Sequence, residues 1–177
     1  MISEGVAEFL TSMFDCLPAN LMETLQIISL FGNQVEVSTI NQMNSGQRVL
    51  PFDMVPVLDL AVAEGMLEKA GPIYAFSHDL IHQTLYKLIP AGSRCLLHKL
   101  VGDSLLSSTN SSNHTMHLLA VDQINLFCKD GELDEYERSA FALANTTAAK
   151  YAMAASSFEK GEHHVFIILA SIAFDVF

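Results

Sequence analysis

Apolar residues recur at three- and four-residue steps along most of the chain, which is the spacing of one face of an α-helix. A first predicted helix has an apolar face made of Val6, Phe9, Leu10, Met13 and Leu17. Pro18 suits the opening turn of a second helix, whose core face is Leu21, Met22, Leu25 and Ile28. Gly32 follows as its predicted C-terminal cap, because glycine enters the left-handed conformation at little cost.

Shorter segments follow this helical pair. The alternation Val35–Val37 predicts a very short strand, and Ser38 can cap a small helix Thr39–Met43. A further helix is predicted from about Asp53 to Glu64, with Gly65 as its stop.

Two short runs, Met66–Lys69 and Ile73–Phe76, flank the turn signal Ala70-Gly71-Pro72. Such runs around a Gly-Pro turn predict a β-hairpin. An isolated hairpin is marginal in water, so this one is expected to pack on the surrounding helices.

The stretch Phe76–Leu106 predicts two helices separated by Pro90. Ser77 is the predicted cap of the first helix, and Asp79 lies in its first turn, where a carboxylate meets the positive end of the helix dipole. Pro90 ends that helix near Leu88, and Ser93 is the predicted cap of the second. Nothing in this stretch requires a catalytic role.

Beyond it, the composition of Ser107–Asn113 is that of a linker. Helical spacing then predicts a helix that ends near Asp130-Gly131 and a longer one from Leu133 to about Met153, with a small-residue stripe made of Phe141, Ala144, Ala148 and Ala152. Such a stripe suits an antiparallel helical hairpin. The apolar run Val165–Phe174 is shorter than the roughly 20 residues of a membrane span, and we expect an exposed apolar face at Ile172–Phe177.

Composition restricts the possible partners. The 177 residues carry a net charge of −11, and half of them are hydrophobic. DNA binding draws much of its affinity from cations placed on phosphates, so an acidic chain is a poor DNA reader. Cys16, Cys95 and Cys128 form no CxxC pair, which predicts reduced, mostly buried thiols. An N-terminus without a basic segment predicts no signal peptide and hence an intracellular, cytoplasmic protein.

Histidines are the only candidates for chemistry. His78 and His82 lie one helical turn apart and could share a metal, but no third ligand follows from the spacing. His98 is expected to pack against the preceding helix. The pairs His114 with His117 and His163 with His164 also lack accompanying Cys or acidic ligands. We therefore predict structural roles, with no catalytic, cofactor-binding or metal-ligating residue.

Nucleotide and nucleophile motifs are missing from the sequence. It contains no G-x-x-x-x-G-K-[ST] loop, no G-x-G-x-x-G turn and no G-x-S-x-G elbow. The chain alone is therefore expected not to hydrolyse ATP and not to be an enzyme.

Ordered motifs carry a resemblance to a known family. They are Phe76-x-His78-Asp79-x-Ile81, Tyr86-x-Leu88-Ile89-Pro90, Leu97-His98 and Gly102-x-x-Leu105-Leu106. They resemble a signature of large multidomain signalling ATPases of the AAA-type, STAND-like class, some fused to serine/threonine or histidine kinases. The upstream Ser29-Leu30-Phe31-Gly32 resembles the start of a winged helix. The downstream segments around Asn125 and Asn145 resemble the start of tetratricopeptide-like repeats.

This resemblance implies a mainly α fold. Residues 1–107 would form a winged-helix-like domain with a small β-hairpin, 108–113 a linker, and 114–177 the truncated start of a helical-repeat array. In such a domain the helix Thr39–Met43, which contains no Lys or Arg, would hold the position of the recognition helix. The function implied is non-catalytic: a coupling fragment that relays the nucleotide state of an ATPase to a protein-interaction array. ATP and Mg²⁺ would bind only to a missing upstream module, and the partners would be proteins, with neither nucleic acid nor a membrane span.

Two other functions remain open on the sequence. The chain can instead be a stand-alone helical scaffold that binds proteins through Leu133–Phe177. A DNA-binding winged helix is the third reading, and the acidic charge argues against it.

Overall fold

A computed structural model describes residue 10 and residues 12–45, 49–108, 113–128 and 134–154. These residues are mainly helical and include a small three-stranded antiparallel sheet, so the predicted mainly α class with a minor β element is confirmed. The helices are α1 Ala19–Ser29, α2 Val37–Ser45, α3 Met54–Ala63, α4 Asp79–Leu88, α5 Ala91–Ser108, α6 His114–Cys128 and α7 Glu135–Ala154. The strands are β1 Gln34–Glu36, β2 Leu67–Ala70 and β3 Ile73–Phe76.

The chain divides into two compact units, Met1–Arg94 and Cys95–Phe177, and this division falls inside α5. The predicted linker 108–113 lies mostly outside the described residues. The assignment of a winged-helix-like domain to 1–107 and a repeat array to 114–177 therefore stays a prediction. So does the exposed apolar face at 172–177, which also lies outside them.

The sheet of the first unit has the strand order β1-β3-β2, with both pairings antiparallel. Its β2–β3 hairpin confirms the prediction for residues 66–76. Ala70 pairs with Ile73 across a two-residue loop, and Gly71 has φ +57°. A glycine with positive φ at the first loop position is what a type II′ turn requires, and Pro72 supplies a negative φ at the second.

β1 adds a third strand that the hairpin prediction did not contain. Val35 pairs with Tyr74, and the Val37 amide donates to the Pro72 carbonyl at 2.8 Å. The first unit thus binds its early strand to the hairpin rather than leaving a two-stranded flap.

Helices α1, α3 and α4 cover this sheet and bury the core of the first unit. α1 contacts both α3 and α4, and α3 also contacts β2. The most deeply buried side chains include Leu25, Ile40, Leu58, Tyr74 and Leu85. The predicted core face of α1 is confirmed, except that Met22 is only half-buried.

Gly65 ends α3 as predicted. It has φ +74°, its amide donates to the Val62 carbonyl, and the Met66 amide donates to the Ala61 carbonyl. These two bonds form a Schellman motif, which satisfies the last carbonyls of the helix. Gly32, with φ +91°, also adopts the left-handed conformation after α1.

Three predicted serine caps are wrong. Ser77 does not cap α4, because its hydroxyl donates to the carbonyls of Gly65 and Met66, and His78 occupies the N-cap position instead. Ser38 lies inside α2, where its hydroxyl donates to Glu36. Ser93 also lies inside a helix, because α5 begins at Ala91 directly after Pro90.

The second unit contains α6 and α7, which pack against each other. His114 at the start of α6 contacts Tyr151 near the end of α7. Phe127 at the end of α6 contacts Phe141 in the first half of α7. The pair is therefore an antiparallel hairpin, as predicted. Phe141, Ala148 and Ala152 of the predicted stripe are buried, and Ala144 is half-buried. Across the described segments, no helix combines the length and apolarity needed to cross a membrane.

Candidate functional site

A polar cluster joins α3 to the hairpin on the surface of the first unit. The Tyr74 hydroxyl donates to Asp59 Oδ1 at 2.7 Å, and Lys69 Nζ donates to the same oxygen at 2.8 Å. Lys69 Nζ also lies 4.7 Å from the centre of the Tyr74 ring. One carboxylate oxygen therefore accepts bonds from two residues of adjacent strands.

The bonds to Asp59 change the acidities of all three groups. The hydrogen bond from Lys69, followed by that from Tyr74, lowers the pKa of Asp59 below its ordinary value. The hydrogen bond to Asp59 raises the pKa of Lys69. Burial raises the pKa of Tyr74. All three shifts favour the state with Asp59 ionised, Lys69 protonated and Tyr74 neutral.

The exposed side of α3 is almost entirely apolar. Met54, Val57, Leu58 and Ala61 are buried, whereas the outward positions are Val55, Pro56, Asp59, Leu60, Val62 and Ala63. We call these six residues the α3 outer face. At 3.6 residues per turn they cover a continuous arc of about 160°, within which Leu60 is 42% exposed and Asp59 is the single polar residue.

Acidic residues stand at both ends of the α3 outer face. Asp53 is the N-cap, and its Oδ1 accepts from the Val55 amide. Glu64 is the exposed C-cap, where it adds a negative charge to the negative end of the helix dipole. Neither α2 nor α3 contains a Lys or Arg. Sequence reasoning recognised the lack of cations on α2 but missed the arrangement on α3, which 3.6-residue spacing could have predicted once its buried side was known.

The structure assigns His82 a packing role. Its Nε2 lies 3.0 Å from the Ser29 carbonyl oxygen, to which it donates, and its ring centre lies 5.3 Å from that of Phe76. His78 is exposed at the N-cap of α4, and its side chain makes no capping bond. No group of three His, Cys, Asp or Glu side chains suited to a metal occurs within the described ranges.

His114 and His117 both contact Tyr151. The His114 ring stacks on it at 3.9 Å between centres, and the His117 ring meets it edge-on at 5.3 Å. His117 Nε2 also lies 3.2 Å from the Ala144 carbonyl oxygen. These contacts fix the α6–α7 hairpin. The pair His163 and His164 lies outside the described residues.

His98 has a hydrogen-bond partner that the sequence did not predict. It is buried, and its Nδ1 lies 2.7 Å from Oε1 of Gln123 on α6. With Oε1 as acceptor, Nδ1 carries the proton. The expected packing of His98 against the preceding helix stays a prediction.

Gly102 lies at a close approach of α5 to α6. A Cβ added there would lie 2.5 Å from Ile124 Cγ1 and 3.0 Å from the Ala120 carbonyl oxygen. The first distance is far below ordinary contact and the second is tighter than usual, so a side chain larger than glycine requires a shift of Ile124 or of one helix.

Asn125 and Asn145 pair across α6 and α7. Each side chain donates to the other's Oδ1, at 3.1 and 3.0 Å, and both residues are buried. Asn145 also donates to the Phe141 carbonyl at 3.1 Å. The two asparagines are thus structural polar partners in the interior of the second unit.

The remaining signature residues lie around α4. Phe76 is buried in β3, and Asp79 stands in the first turn of α4 as predicted. The Arg94 guanidinium lies 4.5 Å from the centre of the Tyr86 ring, and Arg94 Nη2 donates to the Ile89 carbonyl at 3.2 Å. Pro90 separates α4 from α5. The contacts of Arg94 are thus a cation–π interaction and a hydrogen bond within the first unit.

Lys99 forms a cluster that the sequence did not reveal. Its Nζ lies 2.9 Å from Asp103, 3.3 Å from Glu137 and about 6 Å from the centres of the Phe127 and Phe141 rings. The hydrogen bond to Asp103 is the main cause that raises the pKa of Lys99. Only the Asp103 partner, four residues along the same helix, was available to sequence reasoning.

Two of the three thiols, those of Cys16 and Cys95, are less buried than predicted. Cys16 is exposed and Cys95 is half-buried, and neither forms a disulfide. Cys95 Sγ lies 3.5 Å from the Phe127 carbonyl oxygen. The prediction of mostly buried thiols is wrong for Cys16, because it follows the helical residues 12–14 in an exposed turn.

A scan of protein-family models, a search of curated proteins and a search of solved structures each gave no significant match to this chain. The resemblance to signalling ATPases therefore rests on the residues quoted from the sequence alone.

Proposed function

We propose that the chain is a non-catalytic coupling fragment of a signalling ATPase of the AAA-type, STAND-like class. In this proposal the first unit is a winged-helix-type module, and the α6–α7 hairpin begins a tetratricopeptide-like array. The observation that carries the proposal is the element order α1-β1-α2-α3-β2-β3 with sheet order β1-β3-β2. A helix, a strand, two helices and a hairpin in that sequence are what a winged helix consists of.

The coupling would operate through packing. The hairpin is bonded to α3 through Asp59, to the end of α3 through Ser77, and to β1 through the Val37 amide. α4 follows the hairpin and is bonded to α1 through His82 and the Ser29 carbonyl. A push on the hairpin would therefore reach α1, α3 and α4 as one body. This function requires an intracellular location and a protein neighbour that supplies ATP hydrolysis.

The charge of the first unit supports a protein partner over DNA. In a winged helix the helix directly before the hairpin, here α3, is the one that enters the major groove. This is a change from the expectation that the small helix Thr39–Met43 holds that position. α3 offers Asp59 and an apolar face to a partner, which suits neither phosphates nor base edges.

The coupling proposal is tested by the gene sequence upstream of Met1. Reading the open frame upstream of Met1 in the intact locus should reveal a G-x-x-x-x-G-K-[ST] loop. If no such loop precedes it, the coupling proposal is rejected. As a second measurement, saturating ATP with Mg²⁺ should leave the thermal midpoint of the purified chain unchanged, since a ligand that binds the native state raises it.

A second candidate function is a stand-alone scaffold that binds proteins through its C-terminal half. The observation in its favour is the exposure of large apolar side chains on α7, with Tyr136 at 83%, Leu143 at 69% and Met153 at 56%. Immobilised full-length chain should then retain a protein partner that Leu143→Gln releases and Leu60→Gln keeps. Retention that is insensitive to Leu143→Gln argues against the scaffold.

A further inference from the structure

The outward side of α3 has the composition of a buried helix. Nine of the ten residues of α3 are apolar, and Asp59 is the exception. Helices that are apolar all round are normally covered on every side. Here only one side is covered by the first unit, and the α3 outer face is exposed or half-buried.

The charges around this face restrict what can cover it. Asp53 and Glu64, both exposed, stand at its two ends, and Asp59 lies within it, already bonded to Lys69 and Tyr74. Glu64 lies at the C-terminal end of α3, where the helix dipole is also negative. Of the two ends of α3, this one therefore has the more negative potential.

Other occupants fit these charges poorly. A second copy placed symmetrically on the same face would oppose Glu64 and Asp53 with like charges. DNA and anionic membrane surfaces would be repelled for the same reason. What complements an apolar row with an acid at each end is an amphipathic helix whose apolar row is flanked by cations.

We propose that the α3 outer face is a docking site for an amphipathic helix of a protein partner, with leucine-like residues against Pro56, Leu60 and Ala63 and Lys or Arg beside Glu64 and Asp53. α3 is about 15 Å long at 1.5 Å per residue, so a helix lying along it needs about three turns. The inference depends on α3 alone and does not require the ATPase neighbour of the coupling proposal.

The test uses the full chain and two synthetic 18-residue helices. Both have leucine at i, i+4, i+7 and i+11; one has lysines on the flanks of that row and the other has glutamates. Each is titrated into ¹⁵N-labelled chain, and the affinity and the perturbed amides are recorded. We expect the lysine helix to bind with shifts centred on residues 53–64, and the glutamate helix not to bind.

Variants separate this site from general attraction to an acidic protein. Leu60→Gln should weaken binding about tenfold, through loss of an apolar contact of about 1.4 kcal/mol. Ala63→Gln, at an exposed position, should weaken it as well, and Glu64→Gln should weaken it less and reduce its salt dependence. Leu96→Gln is the matched control, because Leu96 is 63% exposed and lies in the other unit.

Several results would overturn the inference. One is that the lysine helix does not bind at about 1 mM, and another is that the two helices bind equally well. A third is that the wild-type and Leu60→Gln chains have equal affinities for the lysine helix, and a fourth is that Leu96→Gln loses as much affinity as Leu60→Gln. Any one of these results is enough. Binding that is lost instead in Leu143→Gln assigns the helix to α7, and self-association that Leu60→Gln abolishes assigns the face to a second copy. Both outcomes also reject it, whatever the upstream gene contains.

Discussion

Asn125 on α6 and Asn145 on α7 hold each other through two amide hydrogen bonds, at 3.1 and 3.0 Å, inside the second unit. A shift of either helix by one residue would break both bonds and leave buried amides to be satisfied elsewhere. The pair therefore helps to fix the register of the α6–α7 hairpin, together with the contact between His117 Nε2 and the Ala144 carbonyl oxygen.

We expect Asn145→Leu to destabilise the chain by about 2–3 kcal/mol, because Asn125 loses two buried bonds at once. The double variant Asn125→Leu with Asn145→Leu should be more stable than the sum of the two single effects predicts. Urea unfolding followed by circular dichroism measures both quantities. Additive losses would show that the two amides act independently.

Gly102→Ala should destabilise the second unit by about 1–3 kcal/mol, the usual cost of an overpacked contact. The new Cβ would meet Ile124 Cγ1 at 2.5 Å, and this outweighs the gain of up to about 1 kcal/mol in helix propensity. Gly92→Ala is the control in the same helix, since a Cβ there meets nothing within 4 Å. It should be neutral or stabilising, and similar urea midpoints for the two variants would contradict the close contact.

The pKa of Asp59 should respond more to Lys69 than to Tyr74. Lys69→Met is expected to raise that pKa further toward its ordinary value than Tyr74→Phe does, because the Lys69 bond is the larger cause of its lowering. Glu68→Gln, at a neighbouring exposed position, serves as the control. Carboxyl ¹³C NMR titration gives the pKa in each variant, and a larger effect of Tyr74→Phe would reverse the assignment.

The lowered pKa of Asp59 also sets the sign of a pH effect. Its contribution to stability is present above the pKa of the unfolded state and is lost as pH falls through the lower pKa of the folded state. The stability of Asp59→Asn should therefore depend less on pH in that acidic window. An acid-side profile identical to that of the wild type would show that the pKa of Asp59 does not differ between the folded and unfolded states.

Lys99 affects the pH dependence of stability with the opposite sign, at high pH. Its pKa is raised, mainly by the bond to Asp103, so its contribution is present below the unfolded-state pKa and is lost as pH rises through the folded-state pKa. Asp103→Asn should lower the pKa of Lys99 more than Glu137→Gln does, as followed by NMR of the lysine side chain. Equal shifts would mean that the two carboxylates contribute alike.

Local chemistry was enough to predict several elements. The turn Gly71-Pro72 identified the hairpin because its backbone angles are dictated by the two residues themselves. Gly65 as the stop of α3 and the end of α4 before Pro90 followed in the same way. The helical spacing of apolar residues predicted the core face of α1 and the hairpin of α6 with α7.

Elements that depend on distant partners were missed. The hydrogen bonds from Ser77 to the start of the hairpin could not be recognised, since their acceptors are the carbonyls of Gly65 and Met66, 12 and 11 residues earlier in the chain. The partner of His98 is Gln123, which lies on a different helix. The apolar side of α3 that faces outward was hidden for a related reason: periodicity distinguishes sides only when one of them is polar.

The strand order has a consequence for the folding of the protein during its synthesis on the ribosome. β3 is the central strand of the sheet, yet it is synthesised last, after β1 and β2. Neither earlier strand pairs with the other, so β1 emerges from the exit tunnel with its edge unmatched. The sheet of the first unit closes only when Ile73–Phe76 arrives between them, and a pause in translation before that point would prolong the exposure of Val35 and its neighbours.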